Sequence, residues 1–138
     1  MKDLIVLDTH VLLWSLINPG ELSKEIKHKI EMAQKADSLI ISSITLWEIA
    51  MINFNKRISI YEPIQYFLKT VSNINGLTVQ DISAEIAAES ILLMDNFHGD
   101  PADRLIVAAT RINGATLLTR DEKILDWAKL GHLKIMEA

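Results

Sequence analysis

Short apolar segments alternate with helical patterns along the whole chain, and this alternation constrains the fold more than any other feature. We predict strands over residues 4–7, 38–42, 77–80, 115–118 and 133–136. Between them we predict helices, one capped by Thr9 and the others over residues 22–36, 44–54, 62–71, 84–94, 102–113 and 121–129. Strands that are apolar on both faces need cover on both, so the pattern predicts an α/β fold with a parallel sheet.

Length and composition fit one compact domain over residues 1–138. The chain is 49% hydrophobic and 23% charged, which is a typical globular balance. Because there is no cysteine, disulfides and thiolate metal sites are excluded. The first segment carries Asp3, Asp8 and His10, unlike a secretory signal, and no apolar run has the length of a membrane span. We therefore expect a soluble, cytoplasmic protein.

The net charge of −4 argues, by itself, against a nucleic-acid partner, because phosphate-binding proteins usually carry a basic excess. The chain has 14 basic and 18 acidic residues. If four of the acids were committed to a metal ion, the remaining acids would equal the bases in number, and this objection would weaken.

Several acids lie near the carboxyl ends of predicted strands, where open parallel sheets bind their ligands. Asp8 follows the first strand, and Asp121 follows the fourth, after Thr119 and Arg120. Asp100 and Asp103 open the helix that leads into the fourth strand. If the first and fourth strands are neighbours, these acids meet at one place.

Glu48 lies in a helical segment, residues 44–54, that is apolar on almost every side, so we expect this helix to be buried. A buried carboxylate is costly unless it is paired or bound to metal. The alternatives are a buried salt bridge or a partly exposed stripe on the helix. A functional role is favoured, since glutamate is rarely buried without a partner.

Each of the other acids also has a purely structural interpretation. Asp100 precedes Pro101, which favours an N-cap with proline in the first turn. Asp8 is a possible cap, and Asp103 and Asp121 are possible first-turn acids. Together, however, clustered like charges repel, and Mg²⁺ or Mn²⁺ would neutralise them with the oxygen ligands that these ions prefer. An all-acid site without cysteine favours phosphodiester chemistry.

Four stretches carry a family resemblance, namely residues 7–14, 43–50, 98–106 and 118–121. In this order and spacing they resemble PIN-domain nucleases, and in particular the VapC-type toxins of bacterial toxin–antitoxin pairs. The resemblance implies an α/β/α sandwich with a parallel sheet, and RNA cleavage by a metal-activated water. It implies homodimers and silencing by a cognate antitoxin.

The resemblance also assigns the site. It carries over Asp8, Glu48 and Asp103 as the core acids that bind Mg²⁺ or Mn²⁺, with Asp121 as a fourth. Asp103 matches the family acid that precedes the apolar run of its helix, so Asp100 is the weaker candidate.

Secondary candidates have open alternatives. Thr119 is predicted either to hold a water or phosphate, or to satisfy the backbone of a turn. Arg104 is predicted either to contact substrate phosphate or to form an ion pair. Trp14 and Trp47 either stack on bases or pack in the core or a dimer face.

Two other functions compete with a ribonuclease. A phosphorelay receiver domain also has acids at strand ends, although Asp8 has no adjacent acidic partner here. A non-catalytic RNA-binding module with the PIN fold is the other alternative.

Overall fold

The centre of the computed structural model, which describes residues 3–93, 96–97 and 99–138, is a parallel sheet. Within these residues its five strands are β1 (Ile5–Leu7), β2 (Leu39–Ser42), β3 (Leu77–Gln80), β4 (Thr116–Thr119) and β5 (Lys134–Glu137). Their order is β3-β2-β1-β4-β5, and every neighbouring pair is parallel. The predicted parallel sheet is confirmed, and β1 and β4 are neighbours, so their carboxyl ends lie side by side.

Helices cover both faces of the sheet. They are α1 (Thr9–Ile17), α2 (Lys24–Lys35), α3 (Ser43–Phe54), α4 (Ile64–Ser72), α5 (Ala84–Ile91), α6 (Pro101–Ile112) and α7 (Glu122–Trp127). Alternate residues of β1 feed two cores, because side chains alternate along a strand. Ile5 and Leu7 pack with α1, α2 and α3, whereas Val6 packs with Ile106 of α6 and Trp127 of α7. This is the α/β/α sandwich that the resemblance implied.

The strand order separates this fold from the receiver alternative. Receiver domains follow the order 2-1-3-4-5, in which β1 lies beside β3. In this chain β1 lies between β2 and β4, and β3 is at the edge of the sheet. The receiver hypothesis is therefore wrong.

Two predictions about helices are corrected. Asp8, not Thr9, is the N-cap of α1, since its side chain accepts a hydrogen bond from the backbone N–H of Thr9. Helix α3 is not buried all round. Thr45, Ile49 and Ile52 are its buried residues, whereas Phe54 is 80% exposed. Apolar residues at every helical position do not imply a covering layer on every side.

The remaining helix boundaries agree with the predicted ones to within a few residues. The last residue of the predicted helix over 84–94, Met94, and His98 of the third matching stretch lie outside the described residues. No helix in the described part of the chain is both long and apolar enough to cross a bilayer.

Candidate active site

Asp8 is held at the carboxyl end of β1 by groups from the start of α1 and from β4. Its Oδ1 accepts a 2.8 Å bond from the backbone N–H of Thr9, and its Oδ2 accepts a 2.5 Å bond from the Thr119 hydroxyl. The backbone N–H of Asp8 also donates to the carbonyl of Leu118 in β4. Only 8% of Asp8 is exposed, so the carboxyl group is both fixed and largely removed from water.

Thr119 positions Asp8 and does not face the solvent. It is fully buried, and its hydroxyl accepts a 3.1 Å bond from the backbone N–H of Asp121 while donating to Asp8. Both partners lie inside the protein. The contacts favour the alternative, a hydroxyl that satisfies the backbone, and the contact of Thr119 with a water or phosphate stays a prediction.

Glu48 is half-buried on α3 and is tied to α1. The Thr9 hydroxyl donates to its Oε1, and the Thr9 and Thr45 hydroxyls lie 3.0 Å apart. Because Thr9 also donates its backbone N–H to Asp8, it connects two of the predicted acids. Sequence reasoning missed Thr9 and Thr45 as site residues. The spacing of Thr45 three residues before Glu48, on the same helix face, was the available signal.

The remaining acids lie at the starts of two helices. Asp100 is the N-cap of α6, where its Oδ1 accepts a 2.9 Å bond from the backbone N–H of Asp103, so its predicted cap role is confirmed. Asp121 caps α7 through a 3.0 Å bond from Ile124. A side chain at Gly99 would place its Cβ 2.8 Å from that of Asp103. Glycine there permits the close approach of this loop to α6.

The electrostatics show that the acids from β1, α3, α6 and the β4–α7 turn lie close together. Burial, above all, raises the pKa of Asp8, and the charge of Asp121 adds to this. Burial and the charges of Asp8 and Asp100 raise the pKa of Glu48. For Asp103, burial and repulsion from Asp100, Asp8, Asp121 and Glu48 raise the pKa to about 7. The pKa values of Asp8, Glu48 and Asp103 are therefore each raised in part by the charges of other acids in the group.

None of the ion pairs found in the described residues neutralises this acid cluster (Asp8, Glu48, Asp100, Asp103 and Asp121). Those ion pairs use Glu31, Glu89, Glu21 and Asp126 instead. The alternative of a buried salt bridge at Glu48 thus has no support among these contacts, and the cluster keeps an excess of negative charge.

The donor set of the acid cluster fits a hard divalent cation. Its carboxylate oxygens suit Mg²⁺ and Mn²⁺, and clustered acids with raised pKa values gain from a nearby positive charge. In the described residues, however, no three acidic or histidine side chains already surround one point. To share an ion, these side chains would have to rotate, and Asp100 and Asp121 would have to loosen their cap bonds.

Asp103 provides a test of this electrostatic picture in metal-free buffer. Its pKa is raised from 3.8 to about 7, so the folded protein holds this proton more tightly than the unfolded chain. The resulting stability is full below pH 3.8 and is lost as the pH rises through 7. We expect Asp103→Asn to raise the melting temperature at pH 8 by on the order of 5 °C, which corresponds to about 2 kcal/mol after allowance for solvent screening.

Thermal unfolding in a chelating buffer between pH 4 and 9 measures this effect. The advantage of Asp103→Asn should grow up to pH 7 and then stay constant. The control is Asp3→Asn, an exposed acid before the amino end of β1, at the opposite edge of the sheet. A rise in melting temperature that does not change with pH, or that Asp3→Asn also shows, would contradict the proposed repulsion among these acids.

Arg104 stabilises the segment before α6 through hydrogen bonds to its backbone. Its guanidinium donates to the carbonyls of Ser90, at 3.1 Å, and Phe97, at 2.6 Å, and lies over the Phe97 ring. This backbone role is neither of the two predicted ones, and a substrate contact through its other N–H groups stays a prediction. Of the two tryptophans that were candidates for base stacking, Trp14 is half-buried, whereas Trp47 is 56% exposed and is not a core residue.

Comparisons with known proteins agree with this architecture. A family model described as PIN domain matches residues 5–130. Ribonuclease VapC22 of Mycobacterium tuberculosis is 32% identical over 120 residues, which are 87% of this chain and 88% of that protein.

Two solved structures are similar in fold. A chain of DNA-bound VapBC from Salmonella typhimurium has a TM-score of 0.69 at 19% identity, and the match covers 99% of this chain and 98% of that one. A chain of a toxin–antitoxin complex from Klebsiella pneumoniae has a TM-score of 0.60 at 23% identity, covering 96% and 95%.

Proposed function

Because the chain belongs to the PIN domain family, we propose that it is a divalent-metal-dependent endoribonuclease and the toxin of a toxin–antitoxin pair. The observation that carries this proposal is the acid cluster at the joined ends of β1 and β4, which lacks a basic partner among the described ion pairs. The name of the related ribonuclease supports RNA as the substrate. The intact acid set favours an enzyme over a non-catalytic module.

Asp8, Glu48, Asp103 and Asp121 are the residues that we propose hold the ion, with Asp100 as a weaker fifth. Bound Mg²⁺ or Mn²⁺ supplies charge neutralisation, a hold on the scissile phosphate and a lowered pKa for water. The chain itself supplies orientation. Thr119 and the backbone of Thr9 fix Asp8, and the Thr9 hydroxyl fixes Glu48. Removing such supporting hydrogen bonds typically costs 10–100-fold in metal affinity or activity.

Asp103 also handles a proton in this proposal. With a pKa of about 7, its carboxyl group is partly protonated at neutral pH when no cation is present. A divalent ion bound beside it would favour the carboxylate, so Asp103 would give up this proton when the ion binds. The cluster is thereby prepared to exchange protons for metal within the physiological pH range.

Partners are proposed on separate grounds. The similar chains come from VapBC and toxin–antitoxin complexes, which supports a cognate antitoxin for this protein. Trp47, Met51 and Phe54 form an exposed apolar stripe at positions i, i+4 and i+7 of α3. This stripe supports a covered interface, either with the antitoxin or within a homodimer.

End mapping of cut RNA tests the proposed reaction. The purified protein is incubated with labelled single-stranded RNA and Mg²⁺, and the new termini are identified. Hydrolysis is expected to leave 5′-phosphate and 3′-hydroxyl ends. The control is Asp3→Asn, which should cut like the wild type. Intact RNA, or ends with a 2′,3′-cyclic phosphate, would contradict the proposal.

A further inference from the structure

A groove runs along α1, the helix that Asp8 of the acid cluster caps. One wall is α1, with His10 and Trp14 one helical turn apart, and the other is the segment after α3, with Arg57 and Tyr61. Its volume is about 400 Å³, within the range of small-ligand sites. Asp8 caps α1, so Trp14 lies within about 9 Å of Asp8 along the helix axis.

The groove differs in charge from the other cavities. No carboxylate lines it, and Arg57 contributes a positive charge. Four other cavities in the described part of the chain each have at least one carboxylate in their lining, from Glu31, Glu89, Asp3 and Glu122 respectively. In a chain with a net charge of −4, this groove is therefore suited to an anionic ligand.

Aromatic rings line the same groove. The rings of His10 and Trp14 lie 5.9 Å apart. The guanidinium of Arg120 lies 4.2 Å from the centre of the Trp14 ring, but it is outside the groove lining and is paired with Glu21, so Arg57 is the cation of the groove. Tyr61 is 99% exposed, although Ile58 and Ile60 anchor its segment on the core. Rings beside a positive charge are the combination that binds single-stranded nucleic acid, because bases stack on rings and phosphates pair with cations.

We infer that this groove binds a nucleotide of single-stranded RNA next to the scissile phosphate, with the base against Tyr61 and His10 and a phosphate on Arg57. The inference rests on the proposed function, since it places substrate beside the acid cluster. A duplex should not use this site, because its bases are stacked on one another and are unavailable to the rings.

Binding in chelating buffer tests the groove without cleavage. The probe is a fluorescein-labelled 12-nucleotide single-stranded RNA, compared with the same strand annealed to its complement. We expect the double variant Arg57→Ala/Tyr61→Ala to bind the single strand at least tenfold more weakly, since one base–ring stack is worth this much. Duplex binding should change far less, and Tyr61→Phe combined with Arg57→Lys should recover most of the loss.

The matched control is Tyr66→Ala/Lys69→Ala, which removes an exposed tyrosine and an exposed cation from α4, outside the groove. It should bind within about twofold of the wild type. With Mg²⁺, the groove variant should raise the KM for RNA cleavage and leave kcat unchanged, because neither residue belongs to the acid cluster.

The outcomes separate this inference from the proposed function. If the protein binds RNA through the groove but never cuts it, RNA binding in the groove is supported and the proposed ribonuclease activity is wrong. If the groove variant cuts RNA and binds the single strand as tightly as the wild type does, the groove is not an RNA site. A groove that binds a protein segment instead of RNA would give this result. A wild-type protein that neither binds nor cuts RNA would overturn both.

Discussion

Asp8→Asn should lower RNA cleavage at least ~1000-fold. Asp8 is the most buried acid of the cluster, and both its oxygens are held by hydrogen bonds that aim the carboxyl group. An amide is a weaker ligand for a divalent cation and carries no charge. The loss of transition-state stabilisation should be roughly 4 kcal/mol, since metal ions supply several kcal/mol and each 1.36 kcal/mol is tenfold in rate.

The fold should survive this substitution. Asparagine caps helices as well as aspartate does, and removal of one charge relieves repulsion in the cluster. Asparagine has only one acceptor oxygen, so the bond from the Thr119 hydroxyl must rearrange; circular dichroism should still match the wild type, and unfolding should stay cooperative and well above the assay temperature. The same assay on Asp3→Asn controls for the loss of an acid elsewhere. Retained cleavage by folded Asp8→Asn in metal-replete buffer would contradict its assigned role.

Removal of divalent cations is the second large effect. EDTA should lower the cleavage rate by about 1000-fold, and added Mg²⁺ or Mn²⁺ should restore it. The same ions should stabilise the folded protein without any RNA, because they bind the folded cluster and not the unfolded chain. At 100 times Kd the gain is about 2.7 kcal/mol, on the order of 8 °C in melting temperature.

Two comparisons make this measurement specific to the cluster. Asp103→Asn should lose most of the cation-induced rise in melting temperature, whereas Asp3→Asn should keep it. If the cation raises the melting temperature of the wild type and of Asp103→Asn equally, the ion does not bind at this cluster. Cleavage that continues unchanged after chelation would contradict a metal-dependent reaction.

Much of the fold was predictable because its determinants are local. Runs such as Ile5–Leu7 are short, apolar at every position and rich in β-branched residues, which favours a strand covered on both faces. Asp8 and Asp121 were predictable for the same reason. In a parallel sheet the residues that follow adjacent strands lie at the same edge, so their place in the sequence predicts that they are close in space.

The support of the site was not predictable, because it depends on contacts between distant elements. Thr9 meets Glu48 only after α1 and α3 have packed against the same sheet, and nothing local marks that contact. Arg104 similarly finds carbonyl groups of Ser90 and Phe97, not an acid. Hydroxyl and guanidinium groups have many possible partners, so their partners follow from the tertiary fold.

The apolar character of α3 misled for a different reason. Its outward residues, such as Trp47 and Phe54, have the composition of a core, but they are exposed in the part of the chain that the structure describes. An apolar composition indicates that a helix face is buried, but it does not indicate whether the same chain or a partner buries it. Glu48 could still be chosen as a candidate, because a carboxylate among such neighbours needs an explanation in either case.

A crystal grown with Mn²⁺, measured at the manganese absorption edge, tests most directly whether these acids share one cation. We expect an anomalous peak contacted by Asp8 and by at least two of Glu48, Asp103 and Asp121. A manganese-containing crystal with no peak among these side chains, or with each of them paired to a lysine or arginine, would contradict the proposed active site.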